Sequence, residues 1–265
     1  MSERKGWTRQ QLLIAFKLYT ELPFGRMHAR NPEIIRYAGL IDRTPSALAM
    51  KLTNIASLDP IIRNSGRSGL TGASAADRAM WNEMQSNWET FVNEMDAAEA
   101  NLIGTSQTAE MYNHASEINN IDKLQYSTDF AGLDRLTVTK VRIGQNFFRR
   151  AVLSAYDSQC CISGLSVPAM LVASHIVPWR IDPENRLNPS NGLCLSVLHD
   201  RAFDLGIITI DSRMSLQVAS RFSKQTDSFF ETTVGVYAGL TIKLPEKFAP
   251  KREFLDYHRQ NIFLG

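Results

Sequence analysis

Residues 171–211 read LVASHIVPWRIDPENRLNPSNGLCLSVLHDRAFDLGIITID, and three changes of pattern divide them. A short apolar run, Leu171 to Ala173, brings Ser174 and His175 to the end of a predicted strand. Pro178, Asp182, Pro183, Asn185, Asn188, Pro189 and Ser190 follow, and turn formers at that density sustain neither a helix nor a central strand. Order resumes at Asn191 and Gly192. Leu193 and Leu195 predict a strand that pairs back on the first, and Ser196 to Phe203 is long enough for about two helical turns carrying His199. The predicted order is strand, loop, strand, helix.

With His175, Asn191 and His199 in that order, sixteen and eight residues apart, the stretch resembles the HNH, or ββα-metal, nuclease motif. The strings ASHIVPW, NPSNGLCLSVLHDRAFD and GIITID are similar to one bacterial HNH endonuclease family. So are RIGQ, FFRRAVLSAY ahead of CCISG, and LPEKFAPKREFLDYHRQNIF, which extend the resemblance over most of the chain. It implies an α+β protein ending in a ββα-metal nuclease domain, with His175 as general base, His199 as ligand of a catalytic divalent metal and Asn191 as a brace of the loop. The implied metal is Mg²⁺ or Mn²⁺, the partner is DNA, and the setting is restriction or defence against foreign DNA.

These residue types suit that chemistry. Hydrolysing a phosphodiester near neutral pH needs a group that takes a proton from water, and the imidazole, with an ordinary pKa of about 6.5, is suited to it. A cation balances charge on the phosphate and leaving oxygen, and an amide has donors and acceptors enough to tie two loop segments together. The chain departs from the motif at Ser174, a weak neutral oxygen ligand where many HNH sites have Asp. Asp200 and Asp204 are near, but neither is an i+3 or i+4 neighbour of His199 on a helix starting near Ser196. Phosphate oxygens and water are therefore expected to complete a shell begun by His199 and Ser174. Ser174 also leaves open a DNA-binding regulator that does not cleave, and a structural or interaction protein is a third class.

The chain of 265 residues is 44% hydrophobic, enough for a sizeable core. It has no apolar run of membrane-spanning length, and its start, MSERKGWTRQQ, has no signal-peptide core, so a cytoplasmic location is expected. Three cysteines without a CxxC pair suggest neither a disulfide framework nor structural zinc, and Cys161 and Cys194 are expected to pack as small apolar groups. Net formal charge is +3 over residues 1–95, −6 over 96–134 and +5 from 135 onward. A polyanion would then meet the two ends and avoid the middle.

Those boundaries also divide the predicted structure: a helical, DNA-recognising part at 1–95, an acidic and polar linker at 96–134 and a nuclease part at 135–265. Three helices are predicted near the start. Leu12, Leu13, Phe16 and Tyr19 share one face of Arg9 to Leu22. Asn31 caps a helix opening at Pro32, and Thr44 caps one opening at Pro45 with Leu48, Leu52 and Ile55 buried. With Trp7, the stretch RTPSALAMKL resembles a Myb-like or related helix-turn-helix module. That resemblance implies phosphate contacts from Arg43 and Lys51 and a base contact from Asn54; the alternative is a plain three-helix packing unit.

Gly66, Gly69 and Gly72 predict a loop, and Ser74 caps a helix running from Ala75 to about Ala100. LTVTKVRI after Arg135 alternates as a strand would, and GQNFFRRAVLSAY reads as a helix with Phe147, Val152 and Tyr156 inward and Arg149 and Arg150 outward, where they could clamp phosphates. Trp179 and Phe203 read as core and His258 as structural. Strands are expected at SLQVAS and Gly235 to Ile242, and a closing helix near Glu253 to Gln260. Cutting two strands, together with the symmetry of most oligomers, makes a homodimer the expected assembly.

Overall fold

The first three helices start where their caps place them. In a computed structural model, which describes residues 6–64, 72–105, 135–222 and 227–265, Thr8 and Gln11 form a capping box ahead of α1 (Arg9–Glu21). Asn31 caps α2 (Pro32–Leu40), and Thr44 caps α3 (Pro45–Ala56). A short α4 (Pro60–Asn64) precedes the first gap in the described residues, which contains Gly66 and Gly69. Ser74 then caps α5 (Ala75–Ser86).

The helix expected from Ala75 to about Ala100 is two helices. Asn87 leaves helical geometry at φ −152° and ψ 89°, and its side chain accepts from Thr90 N at 2.9 Å, which starts α6 (Trp88–Thr105). Asn competes with the helix for backbone donors in this way. Most of the expected linker, residues 106–134, lies outside the described residues.

The strand expected after Arg135 is instead the first part of one helix, α7 (Arg135–Ala155). Alternation over eight residues is a weak signal. Gly144, which follows it, does not end the helix, and helical hydrogen bonding extends through both segments. Beyond α7, β1 (Leu171–His175) pairs antiparallel with β2 (Gly192–Ser196) in a register that sets His175 opposite Gly192. Ser196 caps α8 (Val197–Asp204), completing the predicted strand, loop, strand, helix order. A second hairpin joins β3 (Ile208–Ile210) to β4 (Leu216–Val218). The strand expected at Gly235–Ile242 is a 3₁₀ turn at Gly235–Tyr237 and a single bridge from Thr241 to Ser215. After a short α9 (Ser228–Thr233), α10 (Arg252–Asn261) closes the chain as expected.

The expected boundaries at 95 and 135 are boundaries of sequence, whereas in space one hydrophobic cluster runs through both parts. Helix α7 packs on α1 and α6 on one side and on the β1–β2 hairpin on the other. A Cβ on Gly192 would lie 2.5 Å from Val152 and 2.9 Å from Phe148, so the hairpin seats on α7 only because this residue has none.

The tail locks the N-terminal helices to the rest. Fully buried Lys247 donates from Nζ to the carbonyls of Tyr19, Thr20 (2.9 Å) and Leu22 (2.8 Å) at the C-terminus of α1, where a cation complements the helix dipole. Beside it Tyr19 Oη (2.9 Å) and Phe248 N (3.0 Å) donate to buried Asp59. Replacing Lys247 by Met keeps the apolar stem and strands three buried carbonyls. The variant is expected to lose about 3–5 kcal/mol of stability in urea denaturation, and an unchanged midpoint would contradict this role.

Candidate active site

β1 delivers Ser174 and His175 to the mouth of a pocket of about 540 Å³, whose lining includes Gln145, Phe148, Trp179, Asp200, Arg201 and Asp204. The loop leaving His175 is irregular up to a 3₁₀ turn at Pro189–Asn191 and is held by asparagines. Asn191 is fully buried. Its backbone carbonyl accepts from Ile176 N at 2.9 Å, its Oδ1 accepts from Val177 N at 2.8 Å, and its Nδ2 donates to Val177 O at 3.2 Å and Asn185 O at 3.4 Å. Asn188 adds bonds to Ser190 N and to Asn185 Oδ1.

That loop orients the imidazole of His175. Nε2 lies 2.9 Å from Arg186 O, and since a carbonyl only accepts, the ring proton sits on Nε2 and leaves Nδ1 as the acceptor. The ring stacks on Phe148 at 3.8 Å between centroids, and Trp179 meets it edge-on at 5.4 Å. Burial pushes the His175 pKa down to about 4, against the upward pull of the Arg186 carbonyl. At neutral pH the ring is uncharged and can take a proton.

The three motif residues are not brought together around one point. His199 is buried on the other face of α8: Nε2 donates to Thr233 O at 2.9 Å, while Nδ1 accepts from Ser196 Oγ at 2.9 Å with Cys160 Sγ at 3.5 Å. Both nitrogens are occupied, and the residue does not line the pocket. His258 is likewise satisfied, by Thr209 Oγ1 and Phe203 O, in keeping with a structural role.

The helix turns its carboxylates to the pocket. Asp200 and Asp204 line it beside Ser174, whose Oγ is buried without a well-formed hydrogen bond, although the hydroxyl lies close enough to Asp200 to hold that carboxyl down slightly. Burial, and then the charge of Asp204, push the Asp200 pKa up to about 6, and burial raises Asp204 as well. Two carboxylates and an orphan hydroxyl facing solvent-filled space fit a hard divalent cation that keeps part of its water. Among the described residues no cluster of three or more His, Cys, Asp or Glu is arranged to hold a metal, so these oxygens could supply at most part of a shell. The signal was present in the sequence: on α8 positions 199, 202 and 203 form the buried face, and 197, 200, 201 and 204 the other.

The expected phosphate and base contacts have other partners. Lys51, expected at the surface, is buried, with Nζ 2.9 Å from both carboxylate oxygens of Asp77 and 5.0 Å from the Trp7 ring. Arg43 lies over Trp7 and donates to Gln11 Oε1 and to the Gly6 carbonyl. Asn54 turns toward Gly72 and its Oδ1 is buried without a partner. Arg149 donates to Leu171 O (2.8 Å) and Pro168 O (3.2 Å), and Arg150 pairs with Glu21 at 3.1 Å, so both brace α7 against its neighbours. Trp179, expected in the core, is only partly buried and walls the pocket.

The hairpin and the helix that follows it line one pocket with a held imidazole and two carboxylates. Residues 160–211, which contain all of it except α7 and the tail, match the family model described as HNH endonuclease, a segment that is a minor part of the chain. No curated protein matches the chain. No helix among the described residues is long and apolar enough to cross a membrane.

The raised pKa of Asp200 has a measurable consequence. Between the ordinary carboxylate value and about 6 the folded state holds more protons than the unfolded one, so stability falls as pH rises through that window. In the presence of a chelator at pH 7, Asp200→Asn is expected to be more stable than the parent by about 1 kcal/mol, a figure reduced because the pocket admits water. A lower urea midpoint for the variant would refute this assignment.

Proposed function

We propose that the chain is a DNA endonuclease that hydrolyses phosphodiester bonds with a divalent cation, Mg²⁺ or Mn²⁺. The observation that carries this reading is the neutral imidazole of His175, with Nδ1 left as its acceptor, lining the same pocket as Asp200, Asp204 and Ser174. In this reading Asp200 and Asp204 hold the cation in place of His199, whose nitrogens are both spent inside the fold. Ser174 adds a third oxygen to that set.

His175 Nδ1 takes the proton of a water lined up with the scissile phosphorus. Arrival of the anionic phosphate raises the imidazole pKa from its depressed value toward one useful for a base. Arg201, exposed at the rim and on the pocket-facing side of α8, lies where a guanidinium can hold a substrate phosphate. When bound, the cation would supply charge stabilisation at the phosphate and the leaving oxygen.

The inward turn of Lys51 and Asn54 supports a scaffold role for the N-terminal helices over groove reading. Restriction of foreign DNA is the setting proposed from the sequence resemblance, and a homodimer on DNA is the arrangement that would cut both strands.

Plasmid cleavage with Mg²⁺, Mn²⁺ or EDTA tests the reading. Nicking or linearisation should require metal and fall by at least about a hundredfold in His175→Ala and in Asp200→Asn. His199→Gln, if it folds, should retain metal-dependent cutting. Salt-sensitive DNA binding without cutting under any metal would replace this proposal with a non-cleaving regulator.

A further inference from the structure

The residue that orients His175 is itself held from far away in sequence. Arg186 accepts the His175 Nε2 proton on its backbone carbonyl at 2.9 Å, and its side chain runs to α6, where one guanidinium nitrogen lies 2.8 Å from each carboxylate oxygen of Glu89. On the way the guanidinium carbon passes 5.3 Å from the centre of the Trp179 ring, whose edge meets the His175 ring at 5.4 Å. Arg186 therefore reaches the imidazole twice, through its carbonyl and through Trp179. Its side chain is about three-quarters buried, so the pair is screened less than an open surface ion pair. The next residue, Leu187, is buried and lies 3.0 Å from where a Cβ on Gly144 of α7 would be, so the loop is pinned there as well.

We propose that Glu89 is a positioning residue for the catalytic base: by holding the Arg186 side chain it fixes the Arg186 carbonyl that sets the tautomer and angle of His175, and so ties the N-terminal helices to the active centre. This rests on the nuclease reading for its catalytic consequence, but the geometric part stands apart from it. The asparagine bonds fix where the loop runs, and the Glu89 contact fixes how the segment at 186 is turned. Small misplacement of a base costs rate without a matching loss of affinity.

The test compares the full-length protein with Glu89→Gln, which keeps size and removes charge, and with the reversed pair Glu89→Arg with Arg186→Glu. Two readouts are taken: the side-chain N–H signal of His175 in protein labelled with ¹⁵N-histidine, and kcat and KM on plasmid DNA with Mg²⁺. Glu89→Gln should speed exchange of, or broaden, the Nε2–H signal. It should also lower kcat by about tenfold with KM within about twofold, and the reversed pair should restore part of both. A His175 signal and kcat that both stay as in the parent overturn the proposal, as does a fall in kcat with the signal unmoved. If the parent protein cuts no DNA at all, the nuclease reading fails while the His175 signal still decides whether Glu89 positions the ring.

Discussion

Asn191 is the constraint on which the centre depends. Fifteen residues separate His175 from it, with no strand or helix long enough to hold them, and a loop of that length left to itself samples many shapes. The buried amide closes it with three hydrogen bonds while the Asn191 carbonyl takes a fourth, from Ile176 N. Because the amide sits where β2 begins, the same residue also fixes where the hairpin resumes. A serine hydroxyl, with one donor on a shorter stem, could not serve the Val177 N–H, the Val177 C=O and the Asn185 C=O together, and an apolar side chain would leave the Val177 N–H and C=O unpaired in the interior.

A hairpin of two five-residue strands and an eight-residue helix bury too little surface to stand alone, and the chain has no zinc pattern to staple them. The N-terminal helices supply the missing area. Trp88 of α6 packs on Phe147 of α7 and on Phe248 from the tail, and Tyr19 of α1 packs on the same Phe248. Phe248 lies in the left-handed region at φ 53°, a conformation that costs an aromatic residue about 1 kcal/mol or more and is held there by the bond from its N–H to Asp59. Lys247 and Phe248 together join helix ends and aromatic rings from opposite ends of the sequence. The helices that resemble a DNA reader thus pack behind α7, which itself lines the pocket through Gln145 and Phe148.

Elements whose signals are local were legible. The caps Thr44 and Asn31 with their following prolines, the turn formers after Pro178 and the apolar pairs of β1 and β2 each settle their own neighbourhood, and each element lies where the sequence predicts it. What failed needed three dimensions. Lys51 reads as a surface cation until Asp77, far along the chain, is seen beneath it. The residues after Arg135 alternate like a strand, but the helix that follows captures them. Asn191 was readable from its place between loop and strand, whereas the partners that occupy His199, Thr233 and Cys160, are set by the tertiary fold.

Some of the local conflicts in the fold lie at the pocket. Lys51 and Lys247 find buried partners, whereas at the pocket two carboxylates lie near each other with raised pKa values and the Ser174 hydroxyl is buried without a well-formed hydrogen bond. Each of these weakens the folded state. A chain selected only for stability would replace Asp200 with an amide or an apolar group, since no protein cation compensates it fully. Under the proposed function a cation bound by these carboxylates would offset their repulsion. In the proposed reading the groups that cost stability are the ones that would hold the cation, a pairing of cost and use that neither histidine offers alone.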